Sequence, residues 1–98
     1  MHRVERKARA IVASVNDGEL KAIRYILSHV VNHDVLRLSD VCSKTDIERN
    51  QFVIALKVLI ASEIVDRKSL GRNGTYIKIL DRETTTFIAS HADSYFRL

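Results

Sequence analysis

Proline and tryptophan are both missing from this chain, cysteine and methionine occur once each, and glycine occurs only three times. Without proline there can be no proline-rich linker, and the chain holds no low-complexity tract and no internal repeat. The single cysteine, Cys42, cannot close an internal disulfide, which favours a reducing compartment. No apolar run approaches the length of a membrane span. Ala10 to Val15 follows basic residues but is too short and interrupted for a signal peptide. A soluble, cytoplasmic protein with no membrane partner is therefore expected. At 98 residues the chain can build one domain with one modest core. Its composition, 46% apolar and 29% charged, argues against disorder. Lys and Arg number 16 against 12 Asp and Glu, and the net charge of +4 leans towards nucleic acid or another anionic surface. A solvated surface would carry the same surplus.

What is present concentrates between Lys68 and Ile79. Gly71 and Gly74 lie three apart, after the apolar pair Ile64-Val65 and before Thr75-Tyr76-Ile77-Lys78-Ile79-Leu80. The second run is rich in the β-branched and aromatic residues that strands favour. Asn73-Gly74 between the two is a hairpin signal, since both residues tolerate positive φ. Between Arg67 and Lys78 there are four basic residues and no acidic one. A cationic hairpin following a helix has the form of a DNA-binding wing.

Upstream, Val4 to Val15 has no breaker and reads as a basic amphipathic helix, with Arg3, Arg6, Lys7 and Arg9. Asn16-Asp17-Gly18 interrupts it, with Gly18 as turn residue and Asp17 as N-cap. A second helix carries Leu20, Ile23, Ile26, Leu27, Val30 and Val31 on one face. Asn32-His33-Asp34 ends it, and Val35 to Leu38 has the makings of a small strand. Ser39 is suited to cap a short helix, Asp40 to Lys44. Thr45-Asp46 makes a turn and supplies the next cap. A longer helix runs from Ile47 or Glu48 to about Ser62, with the apolar stripe Phe52, Val53, Leu56, Leu59 and Ile60. At 100° per residue, Asn50, Gln51, Ile54, Lys57 and Val58 face away. Strands are expected at Ile64 to Lys68 and Thr75 to Leu80. Beyond Asp81, Phe87, His91, Tyr95 and Leu98 sit at helical spacing. The resulting expectation is a mainly α fold with a small β-hairpin, an α+β winged helix-turn-helix. Its parts are a linker-type helix (1–16), a winged unit (17–81) and a tail, helical in part (82–98).

Ser69-Leu70-Gly71, one variable pair, then Gly74-Thr75-Tyr76-Ile77-Lys78 resembles the wing of the CodY family, global regulators of low-GC Gram-positive bacteria. Ile47, Arg49, Val53, Ala55, Leu56 and Leu59 are similar to that family's recognition helix. Glu19-Leu20, Ala22-Ile23 and Ile26 are similar to its first winged-domain helix, and Ile11 to Val15 to the end of its linker helix. The resemblance covers roughly Ile11 to Asp81. It implies a dimeric cytoplasmic regulator that binds AT-rich palindromic operators. The family senses branched-chain amino acids through an N-terminal GAF domain and responds to GTP. This chain leaves no room for that domain, so it is expected to be a stand-alone relative or the C-terminal domain of a longer regulator. It departs from the family's pattern at Glu48, where the family has a threonine cap, and at Gln51 and Ile54 on the groove-facing side. It departs again at Glu63, which replaces a glycine.

In a winged helix the longer helix enters the major groove with its N-terminal residues near base edges. Arg49, Asn50, Gln51 and Lys57 are the candidates: Asn50 and Gln51 suit adenine, Arg49 suits guanine, and Ile54 suits a thymine methyl. Ser39 and Thr45, at the caps of the helix-turn-helix, complete this part of the expected interface. In the wing, Lys68, Ser69, Arg72, Asn73 and Thr75 are placed for phosphates or the minor groove. A solvated helix face and an exposed charged hairpin are the plainer alternatives. Ile54 and Val58, if exposed, need a partner; together with the aromatic tail Phe87, Tyr95 and Phe96 they raise a second reading. That reading is a winged-helix interaction module, or an antagonist that dimerises with a full-length regulator. Tyr76 is expected to pack rather than to stack on bases. Arg3, Arg6, Lys7 and Arg9 would serve equally as phosphate contacts or as a solvated dimer helix.

His29 and His33, four apart, have the spacing of a two-histidine metal site, with Cys42 as a third ligand. No second cysteine or acidic cluster accompanies them, and solvated histidines at a helix end explain the pair, so neither metal nor cofactor is expected. No catalytic constellation or phosphate-cradling glycine loop stands out, Asp66, Asp81 and Glu83 are scattered, and no effector site is evident. The expected function is sequence-specific DNA binding by a transcription regulator, a repressor acting as a homodimer, and not an enzyme.

Overall fold

The computed structural model describes residues 3–30, 35–36 and 44–90. Helix α1 (Arg3–Ala13) and helix α2 (Asp17–Val30) come first, then the short strand β1 (Val35–Leu36) and helix α3 (Arg49–Ala61). Strands β2 (Val65–Ser69) and β3 (Thr75–Ile79) form a hairpin around a 3-10 turn at Gly71–Asn73, and helix α4 (Arg82–Ser90) follows. This is the mainly α, α+β winged-helix arrangement. The short helix expected at Asp40, with its cap Ser39, lies outside the described residues but for Lys44. Val31, His33, Cys42, His91, Tyr95, Phe96 and Leu98 lie outside them as well.

The first turn of α2 corrects the expected boundary. Asn16 is its cap: Asn16 Oδ1 accepts from the Glu19 amide at 2.8 Å, and the Asn16 amide donates to Glu19 Oε1 at 3.1 Å. This reciprocal capping box satisfies two amides at once. Asp17 and Gly18 therefore lie inside the helix, not before it. At α3 the cap is Glu48 rather than the Thr45-Asp46 pair. Thr45 Oγ1 instead accepts from the Ile47 amide at 3.3 Å, holding the approach to the helix. Ile47 and Phe52, both buried in the core, occupy the staple positions before the cap and one turn in.

Helix α3 ends in a Schellman motif. The Ile64 amide donates to the Leu59 carbonyl and the Glu63 amide to the Ile60 carbonyl, each at 3.0 Å. Glu63 takes the left-handed position with φ 61°. The chain then enters β2 with Ile64 and Val65 buried. In the three-stranded antiparallel sheet the order is β1-β3-β2. The left-handed positions of the hairpin loop are Gly71 (φ 63°) and Gly74 (φ 104°), bracketing the 3-10 turn that Asn73 completes. The Leu70 amide closes the loop on the Gly74 carbonyl at 2.9 Å.

One hydrophobic cluster holds these elements together. Helix α2 supplies Ala22, Ile23, Ile26, Leu27 and Val30, α3 supplies Phe52, Ala55, Leu56 and Leu59, and the hairpin adds Val65 and Ile77. Ala8 and Ile11 of α1 and Ile88 of α4 are buried in the same cluster. Asp81 joins the outer helices. It caps α4, accepting from the Thr84 amide at 3.0 Å and the Thr84 hydroxyl at 2.8 Å. The same carboxylate accepts from Lys7 Nζ of α1 at 3.0 Å, with Arg3 at 3.6 Å. Burial by itself would raise the Asp81 pKa. The Thr84 amide, the Lys7 ammonium and the Thr84 hydroxyl outweigh it and hold the group at about 2.

Candidate nucleic-acid interface

Helix α3 buries Phe52, Ala55, Leu56 and Leu59 and turns its opposite face outward. Arg49 and Asn50 are exposed in its first turn, and Lys57 is exposed two turns on. Asn50, Ile54 and Lys57 follow i, i+4, i+7 spacing and so share one face. Ile54 on that face is half-buried, and so is Val53, expected on the inward stripe. Val58 corrects the sequence reading more sharply. It packs half-buried against the core, so it is not an unpartnered surface residue.

Gln51 also departs from its expected role. Its Oε1 accepts from the Glu48 amide at 3.1 Å, which engages the side chain at the helix cap. A Cβ built on Gly18 of α2 would overlap Gln51 Nε2 and lie 2.9 Å from Gln51 Cδ. Two further contacts tie the same parts of the chain. Lys21 reaches Asp46 at 3.3 Å, and the rings of Tyr25 and Phe52 meet edge-on with centroids 5.8 Å apart. His29, which raised a metal reading, stacks on Tyr25 at 6.3 Å.

In the hairpin, Val65 pairs with Ile79, Arg67 with Ile77 and Ser69 with Thr75, so these six share a face. Asp66 opposite Lys78 and Lys68 opposite Tyr76 make the other face. Lys68, Ser69 and Arg72 are exposed and Thr75 is half-buried. Ser69 Oγ accepts from the Gly71 amide at 3.3 Å, stiffening the turn and leaving its O–H to donate elsewhere. Tyr76, at 38% exposure, stands on the outward face opposite Lys68.

Three of the four cations of α1 are paired; Arg6 is exposed and forms no ion pair among the described residues. On α1, Arg3 and Lys7 pair with Asp81, and Arg9 pairs with Glu5 at 3.4 Å. Among the described residues, none of Arg49, Lys57, Lys68 and Arg72 forms an ion pair. Positive charge available to an external anion therefore lies on α3 and the hairpin more than on α1. The structure thus brings Asn50, Ile54 and Lys57 onto one face of α3, leaves Arg49 exposed in its first turn, and brings Lys68, Ser69 and Arg72 to the hairpin's free end. Thr45 and Gln51 are engaged in local structure, and Ser39 lies outside the described residues. By sequence Gly18 reads as a turn residue and Asp81 as one of several scattered acids. The Asp81-Arg-Glu-Thr84 pattern was the signal for the second, a side-chain cap three residues before its threonine.

No family model matches the chain. Curated relatives do. The global transcriptional regulator CodY of Exiguobacterium sibiricum is 37% identical over 87 residues, 82% of this chain and 34% of that protein. Its counterpart in Bacillus velezensis is 32% identical over 84 residues, 81% of this chain and 32% of that protein. The match falls in the C-terminal domain region of these proteins. The chain is related to that region of CodY. A Geobacillus CodY is 31% identical over 87 residues, 84% of this chain. The chain spans about a third of the length of the curated relatives it matches. No helix among the described residues is long and apolar enough to cross a membrane.

Proposed function

We propose that this chain is a sequence-specific DNA-binding transcription regulator that lays α3 in the major groove and sets its basic hairpin against the phosphate backbone. The observation that carries this reading is the set of cations on α3 and the hairpin that form no ion pair among the described residues, beside an exposed Asn50, in a relative of transcriptional regulators. Arg49 and Asn50, in the first turn of α3, have the chemistry for guanine and adenine edges. Ile54 offers a methyl-sized apolar contact to thymine. Lys57, Lys68 and Arg72 supply phosphate contacts, with Ser69, Asn73 and Thr75 as polar contacts along the wing. The finer reading is a repressor acting as a homodimer on an AT-rich palindrome. It rests on the CodY resemblance, and a dimer would set two α3 helices about 34 Å apart. Catalysis has no part in this function. The alternative, a module for protein contact, loses part of its motive because Val58 and Phe87 pack against the core.

Selection from random duplexes followed by mobility-shift titration tests the proposal. Arg49→Ala and Asn50→Ala should each cost about 1–3 kcal/mol on the selected site and relax preference at one base pair. Failure of the unaltered chain to prefer any duplex over random DNA at low salt would overturn it.

A further inference from the structure

We infer that Gln51 positions the DNA-reading turn of α3 rather than reading a base, and that Gly18 is the glycine which admits it. This rests on the DNA-binding reading for its consequence, though not for its geometry. Gln51 occupies the third position of α3, where its Oε1 accepts from the Glu48 amide at 3.1 Å. Its Nε2 lies where a side chain on residue 18 would begin. The first turn of α2 is otherwise an unfavourable place for glycine, which gives up more chain entropy there than alanine would. The close approach of the Gln51 amide is the reason the position stays bare.

The amide is thus held by the cap of its own helix and occupies the space beside Gly18 of α2. An added methyl at residue 18 would have to be met by a shift of the Gln51 amide, whose oxygen holds the Glu48 amide. Lys21 with Asp46, and Tyr25 with Phe52, join the same stripe of α2 to the chain around the start of α3. Arg49 and Asn50 lie between the Glu48 cap and Gln51, so their direction follows from how this turn is seated. A small misplacement of a contacting group is expensive in recognition, and a residue that never touches DNA can therefore set sequence preference.

A double-mutant cycle tests the coupling by thermal unfolding. Gly18→Ala should lower Tm by a few degrees, and Gln51→Ala should lower it through the lost cap. In the Gln51→Ala background, Gly18→Ala should raise Tm, because the obstruction is gone and alanine is the better helix former. Gln51→Glu, which keeps an acceptor for the Glu48 amide, should hold Tm near that of the parent. Additive effects of the two alanine changes would overturn the inference. Duplex selection supplies the second readout. Gly18→Ala, off α3 altogether, should weaken the preferred site about tenfold and blur preference at several base pairs. A Gln51→Ala change confined to one base pair, with Gly18→Ala leaving the profile intact, would make Gln51 a base reader and sink the inference. If the parent chain shows no DNA preference, the functional reading fails, while the thermal cycle still decides whether Gln51 and Gly18 are coupled.

Discussion

Asp81 concentrates more of the fold in one carboxylate than its place among scattered acids suggests. It caps α4, and through Lys7 and Arg3 it draws α1 onto the end of the hairpin. Its pKa falls from an ordinary 3.8 to about 2. A carboxylate depressed in the folded state stabilises fully above its unfolded pKa, and that contribution is lost as pH falls through the folded value. With the side chain 11% exposed, the contribution is about 2 kcal/mol, lost between about pH 4 and pH 2. Urea titration across that range should show this slope in the parent and not in Asp81→Asn. Glu63 is the opposite case, a residue poorly matched to its backbone. Its φ of 61° lies where glycine is at ease and a Cβ costs about 1 kcal/mol. Glu63→Gly should raise stability by about that amount, read as a Tm increase of several degrees. No change in Tm would mean that the Schellman turn is not where the strain lies.

At the level of elements, the wing divides into a frame and a tip. The frame is the strand pair with Val65 and Ile77 buried, and it needs only the alternation that strands supply. The tip needs two unusual glycines. Gly74 has φ 104° and ψ −155°, a region open almost only to glycine. Gly71 has φ 63° with open space around it, so an added Cβ meets only the left-handed penalty. Gly74→Ala should therefore cost about 1–3 kcal/mol and Gly71→Asn well under 1 kcal/mol. Unfolding curves of the two variants would show the order. Gly71 costing more than Gly74 would contradict this account of the turn. Because Arg72 sits between them, Gly74→Ala should also weaken DNA binding, by misdirecting the guanidinium.

At the scale of the molecule, the distribution of paired and unpaired charge makes the sharpest forecast. Binding that rests on phosphate contacts releases counterions, so affinity falls with salt. Arg72→Ala should lower affinity for all sequences alike and reduce the log–log salt slope by about 1. Arg6→Ala should leave the slope unchanged if α1 stands off the DNA. A larger effect at Arg6 than at Arg72 would move the interface to α1.

Much of this was legible in residue order. Periodicity placed α1, α2 and α3 to within a few residues, and the glycine pair placed the hairpin. Those signals are local, since apolar spacing and left-handed glycine act over one or two turns of chain. The caps were misread where two local signals competed. Gly18 reads as a breaker, yet Asn16 and Glu19 form a capping box across it. Val58 was misread because a helical wheel gives direction without neighbours, and the wheel could not show the Gln51 bond to the Glu48 amide. Whether a flank residue meets core or solvent depends on how α2 crosses α3.

The sequence by itself determined the winged-helix order, the cationic hairpin and the outward placement of Arg49, Asn50 and Lys57. Each follows from short-range spacing and composition. Only the tertiary structure decided which cations remain unpaired, because Asp81 meets Lys7 across 74 residues of chain. It alone decided that the Gln51 amide lies beside Gly18. Such long-range meetings are fixed by the packing of helices around a shared core, where side chains must fill space without overlap, and no local pattern encodes them.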